Sequence, residues 1–155
     1  MRYFITFLFV IFCNACATSA SFVYEGENYN LSSHTQLGEI DYVGTGNILE
    51  VEKSVSQHII KFERCHQVHS RNRITVGKVK VKYIVKLDGT VLSAYHKEGT
   101  NVRNPGLRNC VVETFRNMKF STEDLNMNSW ILWVHQEVEF SSVYYREEKE
   151  IASSI

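Results

Sequence analysis

Net charge is the first thing this sequence lacks: 17 Lys and Arg are balanced by 17 Asp and Glu over 155 residues. A balanced chain casts no basic field to gather nucleic acid or an anionic lipid surface, and it carries no acidic tail. No apolar run approaches the roughly 20 residues that a helix needs to span a bilayer. Proline occurs once, at Pro105, so no segment reads as an extended Pro-rich spacer. Repeats and low-complexity tracts are absent too, and one domain is the default at this length. No Asp or Glu with Ser forms a nucleophilic set around His96 and His135, which fall on different predicted strands. Neither catalytic residues nor a cofactor are expected.

What is present begins with a leader. Arg2 precedes an apolar run over residues 3–12, the build of a signal peptide. The segment that follows, Cys13-Asn-Ala-Cys16-Ala, supports two cuts. Cys16 behind Ala15 is similar to a lipobox, in which the thiol is acylated and becomes the new N-terminus, although Cys13 stands where Leu is usual. Ala15-Cys16-Ala17 is equally a small-x-small site for cleavage after Ala17. The first is preferred, so residues 1–17 are read as a signal peptide, with Cys16 as a lipidation site. The protein is then expected in the periplasm, held by lipid at the inner or outer membrane or free. Cys13-x-x-Cys16 is a poor redox pair, because it lies in the leader and not in a βαβ unit. Beyond the leader only Cys65 and Cys110 remain, an even number in an oxidising compartment, and they are expected to pair.

Residues 18–45 are rich in Ser, Gly, Asn and Glu without a period, and read as a tether. From Ile48, apolar side chains at Val51, Val55, Ile59, Phe62 and Cys65 recur every three or four positions, predicting one amphipathic helix over 48–70. Asn47 and Glu50 suit a capping box at its start. From Val76 the period drops to two, with Val79, Val81, Tyr83, Val85 and Leu87 on one face and Lys78, Lys80, Lys82 and Lys86 on the other. Asp88-Gly89 predicts a hairpin turn into a strand over 90–97. Asn104-Pro105 opens a second helix, whose buried side is Leu107, Cys110, Val111 and Met118. The last strand, over 130–140, puts Trp130, Leu132, Val134, Gln136, Val138 and Phe140 on one face and Ile131, Trp133, His135, Glu137 and Glu139 on the other. Residues 143–155 read as a solvated tail.

Helix, strand, strand, helix, strand makes an α+β domain over 46–142, a three-stranded antiparallel sheet with two helices on one face. The charges order the strands. With the last strand antiparallel beside the first, Lys78 meets Glu139 and Lys80 meets Glu137, where lysine opposite lysine would repel. The first strand is therefore expected in the middle, and the last at an edge.

The spacing Gly46-Asn-Ile-Leu, Val55, His58, Cys65, then Gly77-Lys-Val79-x-Val81-x-Tyr83, Asp88-Gly89-x-Val91, Leu107-x-x-Cys110-Val and Met118-Lys-Phe120 resembles the AgmX/PglI C-terminal domain. The resemblance covers about residues 46–140. It implies the TonB C-terminal-like fold, no catalytic residues, and a place in bacterial envelope machinery such as gliding motility or transport. Ser121 stands where the family commonly has proline. The absence of a membrane span and a Pro-rich spacer argues against an energy-transducing role. TonB-like domains engage partners by strand addition, which implies the same option here.

Each candidate site has a plain alternative. Cys65 and Cys110 read as a structural staple in preference to a redox pair. Cys65-His66-x-x-His69 with His58 has too few ligands for zinc once Cys65 is bridged, so no metal site is expected. The lysine face reads as a solvated face neutralised by Glu137 and Glu139, in preference to a peptidoglycan or phosphate contact. For partner binding the expectation is the edge of the last strand, Ile131, Trp133, Val134, His135 and Gln136, receiving an extended segment of an envelope protein or peptide. The same glutamates could instead protect that edge. A peptidoglycan-contacting structural lipoprotein is the alternative to a protein-binding module.

Overall fold

The computed structural model describes residues 20–24, 27–70, 73–126 and 130–146, with backbone alone for those in 20–31 and 144–146. The leader, Cys16 and the end of the tail lie outside the described residues. The chain is α+β, as expected, but its sheet has five antiparallel strands. They are β1 (Ala20–Tyr24), β2 (Glu27–Val43), β3 (Gly77–Lys86), β4 (Val91–His96) and β5 (Ile131–Arg146), in the order β1-β2-β5-β3-β4. The helices are α1 (Ile48–Ser56), α2 (Ile59–Ser70), α3 (Pro105–Arg116) and α4 (Thr122–Leu125).

Two expectations are corrected here. Most of the segment read as a tether is β1 and β2, and the expected tail begins later, because β5 continues to Arg146. The physical reason lies in the sequence of β2, where the buried position Thr35 is polar and the pairing shifts register between Leu37 and Ile40, so no apolar period of two shows. The added strand β2 supplies the floor beneath α2, with Leu37 and Ile40 packed against the core.

The lysine-glutamate register holds: Lys78 lies opposite Glu139, and Lys80 opposite Glu137. The contacts are diagonal, since Lys78 Nζ reaches Glu137 Oε2 at 2.8 Å and Lys80 pairs with the same carboxylate. Glu139 instead accepts from Gln36 Nε2 at 2.7 Å. Trp130 is not part of the core face; it stands just before β5 and is 84% exposed.

The predicted first helix is broken at Gln57-His58 into α1 and α2. Ser56 Oγ donates to Lys53 O at 2.7 Å and His58 Nδ1 lies 2.9 Å from Ser54 O, so side chains occupy carbonyls of the last turn of α1. The capping box does not form: the Asn47 side chain makes no cap bond, and its N–H donates to Leu125 O at 2.7 Å. At α3, Pro105 opens the helix as expected, and Asn104 caps it, with Oδ1 accepting from Leu107 N at 3.2 Å. Gly89 alone uses positive φ in the β3–β4 turn, and a Cβ there would fall 2.1 Å from Phe120 O.

The roof and sheet meet in an aromatic stack, Phe62 and Tyr83 on either side of Phe115 with centroids 5.0 and 4.9 Å away. Tyr83 is fully buried, and its Oη has no hydrogen-bond partner among the described residues. Burial without a partner pushes the phenol well above its ordinary range. Tyr83→Phe is therefore expected to stabilise the fold by about 1 kcal/mol in urea unfolding, by removing an orphaned polar atom. A loss of stability instead would mean that the hydroxyl has a partner in solution.

Candidate functional site

The expected partner edge is closed. β5 bonds to β3 on one side and β2 on the other, with Trp133 opposite Ile84 and Val43, Val134 opposite Tyr83 and Tyr42, His135 opposite Lys82 and Asp41, and Gln136 opposite Val81 and Ile40. An incoming strand cannot pair where β2 already lies. The five residues also divide between two faces: Val134 and Gln136 are buried beneath the helices, while Ile131, Trp133 and His135 are half-buried on the opposite face.

Gln136 has a structural task. Between Leu37 and Ile40 the pairing of β2 shifts register, and Gln136 Nε2 donates towards Gly38 O at 3.1 Å and Glu39 O at 3.4 Å. These carbonyls belong to the bulged residues, so the amide fastens the irregular part of β2 to β5. Gly38 is needed there, because a Cβ would sit 3.0 Å from Glu137 Cβ.

A second fastener lies farther along the same strands. His66 projects from α2 and is fully buried, with Nδ1 3.4 Å from Thr35 Oγ1 on β2 and Nε2 3.1 Å from Ser142 Oγ on β5. Its ring meets Phe140 edge-on at 5.0 Å. The histidines and Cys65 weighed as a metal set are thereby separated: Cys65 is bridged to Cys110, His66 faces the sheet, and His58 returns to the backbone of α1. Among the described residues no group of three metal-ligating side chains comes together.

Desolvation holds the His66 pKa below its ordinary 6.5. His135 is also lowered, first by desolvation and then by Lys97 and Lys82, against the pull of Asp41. Both histidines are neutral in the fold at neutral pH. As pH falls below 6.5 the unfolded chain takes up protons that the folded chain refuses, so stability declines until the lowered folded pKa values are reached. The expected slope is at most about 1.4 kcal/mol per pH unit for each histidine. Urea midpoints measured from neutral pH down to about 5 check this, and His66→Gln should flatten the curve. An unchanged slope in that variant would remove His66 from the account.

The face of the sheet away from the helices is only partly exposed. It carries an apolar band across three strands, Val43, Trp133 and Ile84, in which Val43 is 63% exposed and Ile84 only 8%. Lys82 Nζ lies over the Trp133 ring at 4.3 Å, a cation–π contact that shields the indole. Glu137 sits at the charged end of this face. Burial pushes its carboxyl up, but Lys78 and Lys80 outweigh burial and hold it below the usual range.

β4 is the end of the sheet opposite β1. Lys97 N donates to Lys80 O at 2.7 Å, so by antiparallel alternation Tyr95 and Ser93 face β3, and the backbone groups of Ala94 and His96 face outward. Leu92 is set in a register shift and is 59% exposed, and Tyr95 is exposed beside it. One outward carbonyl is occupied: Arg116 Nη2 donates to Ala94 O at 2.9 Å, while Nη1 is held by Glu113. The expected central place of the preceding strand leaves β4 at an edge, but the sequence gives no sign of Arg116 above it. The guanidinium arrives from the end of α3, 22 positions away.

Among the described residues these elements present a partly exposed sheet face and the outer edge of β4. No family model matches the chain, and neither a curated protein nor a solved structure matches it.

Proposed function

We propose that this chain is a non-catalytic protein-binding module of the bacterial cell envelope, exported through its leader and tethered by lipid at Cys16 or free in the periplasm. It takes an extended segment of an envelope protein on the outer edge of β4. The observation that carries this reading is that edge, with outward backbone groups at Ala94 and His96 flanked by exposed Leu92 and Tyr95. Backbone pairing supplies affinity, and Leu92 and Tyr95 supply selectivity. The resemblance of residues 46–140 to the AgmX/PglI C-terminal domain supports an envelope machine such as gliding motility or transport as the setting.

Arg116 works as the guard of this edge, since an unguarded edge pairs with any strand it meets. A partner's N–H would replace the guanidinium at Ala94 O. A photocrosslinker at Tyr95 is expected to capture a defined envelope protein in cells. His96→Pro, which removes an outward donor without touching a β3 bond, should abolish that capture, and Arg116→Ala should increase it. Undiminished capture by a folded His96→Pro variant would place the contact elsewhere.

A further inference from the structure

β2 is held to the domain by different means from β3, β4 and β5. The fully buried apolar core draws on all four helices and on those three strands, but on no residue of β2, whose Leu37 and Ile40 are only partly buried. Thr35 is the one buried side chain described on β2, and it is polar. β1 in turn pairs with β2 alone. The hairpin of β1 and β2 therefore depends on its backbone bonds to β5 and on polar fasteners. Of the two beneath the helices, His66 and Gln136, only the first takes up a proton.

The site suits a neutral ring. Thr35 Oγ1 and Ser142 Oγ flank the two nitrogens of His66 at 3.4 and 3.1 Å, and Phe140 meets it edge-on. Protonation costs no hydrogen bond here, because both hydroxyls can accept from ring N–H groups. It costs a charge in a fully buried site without a carboxylate, and burial is the one influence on the titration of this ring. The charged groups of the elements around it are placed elsewhere. On α2, Lys61 and Arg64 are exposed and His69 lies against Gly106; on α3, Glu113 is paired with Arg116. His34 of β2 and Glu139 of β5 alternate with Thr35 and Phe140, so they project from the other face of the sheet. Glu63 on α2 and Arg108 on α3 leave the titration of the ring untouched.

When the charge arrives, packing decides which element yields. α2 is stapled at the neighbouring Cys65 to Cys110 of α3. β5 is anchored through Leu132, Val134, Val138 and Phe140. β2 has no such anchor. We infer that His66 is a proton-operated latch: in mild acid its protonation lets the β1–β2 hairpin part from β5 as a unit, while the four helices and β3, β4 and β5 stay packed. The opened hairpin places His66 in water, where it titrates near 6.5, so opening gains as pH falls below that value. On the opposite face, protonation of His135 works against release, since it strengthens the pull of Asp41 across the same two strands at 3.7 Å. Release uncovers the β2 side of β5, which the neutral protein conceals. The latch is separated from β4 by β5 and β3 and does not depend on the contact proposed there.

Amide hydrogen exchange of the full chain, expressed as protection factors at neutral pH and at about pH 5, tests the latch. Amides of β2 over 33–37, and those over 138–142 of β5 that bond to them, are expected to lose protection about tenfold, while amides of β3 over 79–85 hold theirs. His66→Gln, whose amide can still bridge Thr35 and Ser142, should abolish the response, and His135→Gln should leave it in place. Should His66→Gln fail to fold, Ser142→Asp is read instead, because a carboxylate beside the ring accommodates the charge and cancels the response. Unchanged protection of β2 in acid, a loss shared equally by β3, or a response that survives in folded His66→Gln or in Ser142→Asp overturns the latch.

Discussion

Reducing the Cys65–Cys110 bridge lowers the free energy of unfolding by about 4 kcal/mol, the chain-entropy value for cysteines separated by 45 positions. Against a total stability of roughly 5–15 kcal/mol for a domain, this is the largest single covalent contribution to the fold. The bridge joins α2 to α3, so it ties together the two helices that roof the sheet. Much of its effect falls on the unfolded chain, where it forbids open conformations. The reduced protein should therefore keep its circular dichroism while its urea midpoint falls. Cys65→Ala with Cys110→Ala should reproduce the shift. A change under about 1 kcal/mol in both experiments would mean that the unfolded chain holds these helices close without the bridge.

What could be read from the sequence follows from which signals packing leaves undisturbed. β3 and β5 show period two because each has one face under the helices and the other partly exposed, and the charges on that second face fix their register. The α3 cap is local chemistry, so Asn104-Pro105 announces it. β2 is illegible for two reasons. Its helix-facing positions include Thr35, which serves a buried histidine where an aliphatic would be expected, and the shift between Leu37 and Ile40 breaks the alternation. The strand is therefore composed like a linker. The partner site went astray for the same reason. With β2 unseen, β5 looks like an edge, and Gln136, which fastens the bulge, looks like a free polar group.

That correction yields a strong test, because the domain as the sequence alone suggests it can be made by starting the chain at residue 46. Such a protein loses Leu37 and Ile40 from the core, where each full burial contributes about 1.5–3 kcal/mol. It also strips His66 of Thr35 and leaves Gln136 without the carbonyls of Gly38 and Glu39. The expected loss is at least about 3 kcal/mol in urea unfolding. A second effect has a different signature. The β5 edge uncovered by the deletion pairs 13 positions with β2 in the intact chain, so it is a long template for strand pairing and should drive association that increases with concentration. A synthetic peptide of residues 27–43 should refill the edge, restore the monomer in sedimentation, and recover most of the lost stability. A truncated chain that stays monomeric, keeps its midpoint and ignores the peptide would show that β2 is an ornament on the sheet. The hidden edge of β5 would then be a binding surface after all.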